Sequence, residues 1–405
     1  MSQVKLSQRS YDIQASPIRK LTPYADEAKK RGIKIYHLNI GQPDIETPGV
    51  FWEAIRKYGE KTLKYGPSNG IPQYLESLKR YYNKFGFNVN TEDIFVTTAG
   101  SEAIIFSFLA VMETGEEIII PEPYYTNYNG FATMAGVKII PLTTYIEEGF
   151  KLPTIDKFEE KITSKTRAIL LCNPGNPTGT VYTEEELTRV VELANKYNLF
   201  LIADEVYREF IYDGMKHTSI MEFPGIEERA IIVDSISKRF SACGARVGCI
   251  VSKNKELMEA IMKYGQARLC PPTLEQIGAV ALHNLGDDYF KAIYNEYKLR
   301  RDTLYEGLTS ISDVIVHKPQ GAFYMVAKLP VKDTEEFAIW LLKDFNIDGE
   351  SVMFAPLDGF YGTPGLGKNE VRLAYILNCE DIKKSVHILR EGLESYRTVN
   401  LNTTL

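Results

Sequence analysis

The sequence predicts an α/β protein of two units, a large one on a mainly parallel sheet covered by helices and a smaller one of α+β character. Three observations carry this. The chain has 405 residues, more than one compact core accommodates. From residue 94, short apolar runs alternate with helical patterns, and strands apolar on both faces belong in a parallel sheet. Beyond a long charged helix at 288–309 the pattern shifts to α+β order. The expected boundaries are 49–287 for the large unit and 1–48 plus 288–405 for the smaller, joined by the long helix.

The first segment holds a helix at 22–31 and a strand at 35–39. It ends in Gly41-Gln42-Pro43-Asp44, where glycine lets the backbone turn or approach a ligand closely. A helix at 50–59 follows, then the breaker-rich loop Tyr65-Gly66-Pro67-Ser68-Asn69-Gly70 and a helix at 72–85. Strands of the large unit fall at 94–98, 117–121, 138–142, 168–172, 200–203, 230–233 and 247–251. After the first of them, Ala99-Gly100-Ser101 opens an apolar helix over 102–112. Thr183-Glu184-Glu185-Glu186 is a capping box, in which Glu186 reaches back to the cap of a helix running to 197. The smaller unit has strands at 314–317, 323–327, 352–355 and 371–375 and helices at 334–345 and 381–396, and the N-terminal segment is expected to pack with it.

Hydrophobic content of 44% and charged content of 25% match ordinary soluble globular proteins. A formal net charge of −6 speaks against nucleic acid or an acidic membrane as partner. The five cysteines, Cys172, Cys243, Cys249, Cys270 and Cys379, form no C-x-x-C pair, which fits a reducing compartment and no metal site. Residues 1–9 are polar, and no apolar run approaches the ~20 residues that span a bilayer. The expectation is a soluble, cytoplasmic protein.

Several strand ends carry chemistry that a core does not need. The run Ala230-Ile231-Ile232-Val233-Asp234 leads into Ser235-Ile236-Ser237-Lys238, with Arg246 eight positions beyond the lysine. Hydroxyls and two cations there suit a phosphate-bearing ligand, and a lysine shielded from bulk water can lose its proton and become a nucleophile. Thr98-Ala99-Gly100-Ser101 places backbone N–H groups and a helix N-terminus at another strand exit, a ready anion site. Asn173-Pro174-Gly175-Asn176-Pro177-Thr178-Gly179 holds more breakers than a simple loop requires. Asp204-Glu205 ends an apolar strand, where an unpaired charge is costly, and Arg372 lies within an apolar run, where it must reach solvent or an anion.

Together these stretches resemble the fold-type-I pyridoxal-phosphate enzymes, specifically the class I/II aminotransferases of the aspartate aminotransferase superfamily. The resemblance runs from Gly41 to Arg372 in the family's order: Tyr65-x-Pro67-x-x-Gly70, Ala99-Gly100-Ser101, Pro121-x-Pro123-Tyr124-Tyr125, Asn176-Pro177-Thr178-Gly179, Asp204-Glu205-Val206-Tyr207, Ser235-x-Ser237-Lys238, Arg246 and Arg372-Leu373-Ala374-Tyr375. It implies a seven-stranded sheet and pyridoxal 5'-phosphate as cofactor. Lys238 would form the Schiff base and, once displaced, act as general base. Asp204 would pair with the pyridinium nitrogen, and Asn176 and Tyr207 would hydrogen-bond the ring's phenolic oxygen. Gly100, Ser101, Ser235 and Arg246 would hold the phosphate, with Glu102 contributing its backbone N–H, and Tyr125 would stack on the ring. Tyr65 matches a tyrosine that family members donate from the neighbouring subunit, which implies a homodimer with shared sites. Arg372 would clamp the substrate α-carboxylate, with Asn176 and Gly41 beside it.

The implied reaction moves an amino group from an L-amino acid to a 2-oxo acid in two half-reactions, with aspartate and 2-oxoglutarate as the first expectation. Two departures bear on substrate. Many members place tryptophan where Tyr125 stands, and one bacterial group has a lysine at the position of Ser101. Arg268, in a segment the family uses near the partner's pocket, is the expected reader of a distal carboxylate. The alternatives are an aromatic or broad-specificity aminotransferase, a C–S β-lyase on the same scaffold, and a non-catalytic regulator.

Overall fold

The computed structural model describes residues 4–402; the outermost residues of the expected smaller unit, 1–3 and 403–405, lie outside the described residues. A seven-stranded sheet organises the chain. Its spatial order is Ile94–Thr97, Gly248–Val251, Ala230–Ser235, Phe200–Asp204, Thr166–Cys172, Glu117–Glu122 and Lys138–Thr143. Gly248–Val251 runs antiparallel to both neighbours, and the other neighbouring pairs are parallel. Every residue of Ala230–Ser235 and Glu117–Glu122 is buried, as strands covered on both faces require. One apolar core, with Ile119, Ile169, Leu201 and Ile232, fills one side of the sheet, and another, with Ile118, Leu170, Ile202 and Ile231, fills the other.

The parallel registers set the strand ends side by side. Cys172 is opposite Asp204, and Asp204 is opposite Val233, so the exits of three neighbouring strands open along one edge. The helix Ala99–Val111 starts three residues earlier than the apolar run suggests, because the Glu102 carboxylate accepts from the Thr98 N–H at 2.7 Å and closes an extra turn. Gly100 and Ser101 therefore stand in its first turn. The capping box at Thr183 forms as expected: Glu186 Oε2 accepts from the Thr183 N–H at 2.8 Å, and Thr183 Oγ1 accepts from the Glu186 N–H at 3.2 Å.

The remaining strands make two small sheets. Lys34–His37 pairs in parallel with Glu350–Met353, which ties the N-terminal segment to the C-terminal part of the chain. The second has the order Ala355–Pro356, Glu370–Ala374, Tyr324–Lys328 and Ile315–Val316. The single strand expected at 352–355 is thus two, because Phe354 marks the change of partner from Lys34–His37 to Glu370–Ala374. The helix expected at 50–59 stops at Arg56, and the last helix is longer than expected, Cys379–Asn402. The long helix is Asp287–Thr309, and its Arg300 pairs with Asp44 at 2.6 Å, anchoring the loop after Gly41.

Candidate active site

A cavity of about 580 Å³ opens where the strand exits meet the small sheets. Of the expected site residues, Gly41, Gly100, Ser101, Tyr125, Asn176, Asp204, Tyr207, Ser235, Lys238, Arg246 and Arg372 line it. Tyr65, Glu102 and Arg268 do not.

Lys238 sits in the one-turn helix Ile236–Arg239, directly after the Ala230–Ser235 strand. Its Nζ donates to the Gly41 carbonyl at 2.7 Å and stands 3.9 Å from Cys243 Sγ. The glycine is required there: a Cβ at Gly41 would fall 1.9 Å from the Tyr324 hydroxyl. Ser235 Oγ and Ser237 Oγ are 2.7 Å apart, and Ser235 Oγ also donates to the Val247 carbonyl at 3.0 Å. Arg246, in the left-handed region at φ +54°, donates from Nη1 to the Cys243 carbonyl at 2.9 Å and is otherwise exposed. The first-turn N–H groups of Gly100 and Ser101 meet no backbone acceptor. An anion at this end would find helix N–H groups, two hydroxyls and a guanidinium.

Asp204 faces Lys238's cavity from the end of its strand. Tyr128 donates to Asp204 Oδ2 at 2.7 Å, and the Val206 N–H approaches Oδ1 at 3.4 Å. Burial pushes the carboxyl up to about 6 from its ordinary 3.8, against the lowering effect of those two donors. No cation of the described residues pairs with it. A cationic ring nitrogen facing it would restore the charged form. Its sequence neighbour Glu205 points elsewhere, paired with Arg208 and accepting from Ser219 Oγ at 2.7 Å. The two carboxylates of Asp204-Glu205 thus serve different surroundings.

Arg372 is 1% exposed in the strand Glu370–Ala374. Nη1 donates to Asn176 Oδ1 at 3.0 Å and Nη2 to the Asn39 carbonyl at 2.5 Å, while Nε has no partner. The rings of Tyr324 and Phe360 lie 4.6 and 5.0 Å from its guanidinium carbon. Burial lowers its pKa, and no carboxylate of the described residues pairs with it. A buried cation in this state awaits an anion. Tyr207 and Tyr324 share a hydroxyl hydrogen bond of 2.8 Å, and burial raises the Tyr207 phenol. Tyr125 accepts from Asn127 Nδ2 at 2.7 Å and packs edge-on against Tyr128; burial pushes it up to about 12.

Tyr65 is 80% exposed and does not line its own chain's cavity. Glu102 is spent on the Thr98 N–H. Arg268 donates to the carbonyls of Ser68 and Val96 at 3.2 and 3.3 Å and lies 3.6 Å from Glu102. The structure does not bring it to this chain's cavity.

Sequence reasoning missed Tyr128, Tyr324, Ser237 and Arg19, all of which line the cavity. Ser237 lay inside the quoted Ser235-x-Ser237-Lys238 run, and Tyr128 is one helical turn beyond Tyr125. Tyr324 and Arg19 carry no local signal, because only the pairing of distant segments brings them in.

The family model for aminotransferase class I and II matches residues 33–348. The chain belongs to the class I and II aminotransferases. Among its relatives, this aminotransferase is 31% identical to the aspartate aminotransferase of Sulfurisphaera tokodaii, over 91% of this chain and 92% of that one. Among solved structures it superposes on a mutant of the Thermus thermophilus aspartate aminotransferase with a TM-score of 0.88. That match has 28% identity and covers 96% of this chain and 100% of the other. An alanine aminotransferase from Pyrococcus furiosus gives a TM-score of 0.89 at 31% identity, with the same coverage. The α/β fold with its mainly parallel central sheet is the fold of these enzymes. Among the described residues, no helix of this transaminase is long and apolar enough to cross a membrane.

Proposed function

We propose that this transaminase works with pyridoxal 5'-phosphate and passes the amino group of a dicarboxylic L-amino acid, aspartate first, to 2-oxoglutarate. The observation that carries it is Arg372: a buried arginine without a carboxylate partner, on the same cavity as Asp204 and Lys238. The residues fit the cofactor. Gly100, Ser101, Ser235 and Arg246 form a phosphate cradle, with the Glu102 N–H in the same helix start, and Asp204 offers a dry carboxylate to a ring nitrogen. When bound, the cofactor supplies a ring that accepts the electrons released at the substrate α-carbon.

This chain's own residues do the rest. Arg372 holds the α-carboxylate, with Asn176 and the Asn39 carbonyl fixing its guanidinium and Gly41 on the same cavity. Lys238 Nζ is the amine that would hold the cofactor's aldehyde, and as a free amine it would carry the proton taken from the substrate α-carbon and give it back on completing the transfer. Tyr207, held by Tyr324, and Asn176 would be the donors to the ring's phenolic oxygen, and Tyr125 would supply an aromatic face for the ring. Donor and acceptor use the same cavity in turn, so ping-pong kinetics follow.

The active unit is proposed as a homodimer, each protomer lending Tyr65 to its partner's phosphate site and Arg268 lying in the segment that approaches the partner. The exposure of Tyr65, and of the apolar Trp52, Leu63 and Leu269, supports it. The division into 49–287 and 1–48 plus 288–405 is part of the same reading, as is a cytoplasmic location, which five unpaired cysteines support.

A panel of amino donors and keto acids tests the proposal on the holoenzyme. The expected result is keto-acid formation from aspartate with 2-oxoglutarate, fastest among the donors. Ammonia with pyruvate would indicate β-elimination, and alanine as the fastest donor would favour the alternative that the Pyrococcus relative suggests. Lys238→Ala should lower turnover by about 10³-fold or more and abolish the borohydride-trapped cofactor adduct.

A further inference from the structure

We propose that Arg19 holds the distal carboxylate of the substrate and thereby selects dicarboxylic amino acids; this rests on the transaminase reading above. Four cations line the cavity, Arg19, Lys238, Arg246 and Arg372, against one carboxylate, Asp204. Three of the four have hydrogen-bond acceptors in the chain: Lys238 at Gly41, Arg246 at Cys243 and Arg372 at Asn176 and Asn39. The Arg19 guanidinium, on a solvent-exposed residue of the cavity lining, has neither hydrogen-bond nor ion-pair partner among the described residues, so it is free to turn to a ligand. Its charge is the one in the cavity that neither the chain nor the cofactor nor an α-carboxylate accounts for.

Its place is on the substrate's side. Asn39 accepts from Arg372 with its carbonyl, and Asn39 Nδ2 donates at 3.4 Å to the carbonyl of Ile18, the residue before Arg19. Two hydrogen bonds therefore connect the α-carboxylate arginine to the backbone that carries Arg19. The backbone is held: the Arg19 N–H donates to Ser16 and the Arg19 carbonyl accepts from Thr22, at 3.1 and 3.0 Å. Lys20 next to it pairs with Glu335 and, at 3.6 Å, with Asp358. A fixed backbone and an uncommitted side chain suit a cation that meets a charged group only when substrate arrives. Arg268, in contrast, already has two carbonyls and a carboxylate within its own chain.

The test compares Arg19→Met, Arg19→Lys and Arg268→Met holoenzymes with wild type. The readout is the ratio of kcat/KM for aspartate to that for alanine, together with the Kd of maleate, a non-reacting dicarboxylate, by calorimetry. Arg19→Met should lower the ratio at least about ten-fold and weaken maleate by a similar factor, one charge-assisted contact being worth that much. Arg19→Lys should recover part of both, and Arg268→Met should leave both close to wild type. A ratio and a maleate Kd within two-fold of wild type in Arg19→Met overturn the proposal, as does a loss confined to Arg268→Met. A wild-type enzyme that turns over no donor refutes the transaminase reading instead, and maleate binding then still decides the role of Arg19.

Discussion

Two sets of buried or cavity-facing charges lie back to back in this molecule, and they are satisfied in opposite ways. Behind the strand exits, Asp234 pairs with Arg239 and accepts from Tyr82 Oη at 2.8 Å, and Glu205 pairs with Arg208. Arg208 and Arg239 leave some N–H groups without acceptors, but their charges are met and aromatic rings cover them: Arg239 lies 4.4 Å from the Tyr81 ring centre and Arg208 5.1 Å from that of Phe85. In front, buried Asp204 and Arg372 have no charge partner among the described residues, and neither does Arg19, which is exposed to solvent on the cavity lining. Burial alone would make neighbouring residues such as Asp204 and Glu205 look alike; the partner tells them apart. A charge met within the chain holds the fold, and a charge left unmet is addressed to a ligand.

Removing one arginine from each set gives the sharpest separation. Arg372→Met should lower kcat/KM by about 10²-fold or more, from the loss of two charge-assisted contacts, while the unfolding free energy changes little, since an uncompensated buried charge goes with it. Arg239→Met should do the reverse to stability: Asp234 stays buried without its cation, which costs about 3–5 kcal/mol in chemical denaturation. Equal stability losses in the two variants would erase the distinction.

A smaller effect is expected at Asp204 in the cofactor-free enzyme. Its folded value of about 6 lies above the ordinary 3.8, so the folded chain keeps a proton that the unfolded chain releases in between. The stability this contributes is complete below 3.8 and is lost as pH rises through about 6, amounting to about 2–3 kcal/mol. Asp204→Asn should remove that loss, so the variant's Tm should fall less than the wild type's between about pH 4 and 7. A parallel pair of Tm profiles would show Asp204 to be charged and matched already. The mildest change is Tyr128→Phe, which deletes one hydrogen bond to Asp204 and should weaken cofactor retention by about ten-fold, measured by dialysis against competing buffer.

Legibility in the sequence followed the range of the interactions. The strands of the large sheet were readable because each is apolar on both faces, and Lys238, Asp204 and Arg246 because each breaks an apolar pattern at a strand end. The early start of the Ala99 helix was not, because it depends on the Glu102 side chain turning back rather than on periodicity. The split at Phe354 depends on which strand each half meets, a fact of pairing and not of composition. Arg19 and Tyr324 reach the cavity from segments some three hundred residues apart. No local window contains that. Arg268 was singled out for the segment that the resemblance places near the partner's pocket, whereas its contacts with the Ser68 and Val96 carbonyls, far upstream, could not be read locally and keep it from this chain's own cavity.

The one reversed strand, Gly248–Val251, has a consequence for how the two halves of the ligand site are attached. Ser235 is paired with Gly248, and the Ser235 hydroxyl reaches Val247, so the excursion carrying Lys238 and Arg246 is closed on itself at its base. The separation between those two cations is a property of one short tethered loop. Arg372 and Arg19 hang from a different framework, the small sheets and the N-terminal turn. A shift of that framework against the large sheet would open or shut the substrate's half while leaving the spacing of Lys238 and Arg246 untouched: a permanent grip on one molecule beside a releasable grip on the next.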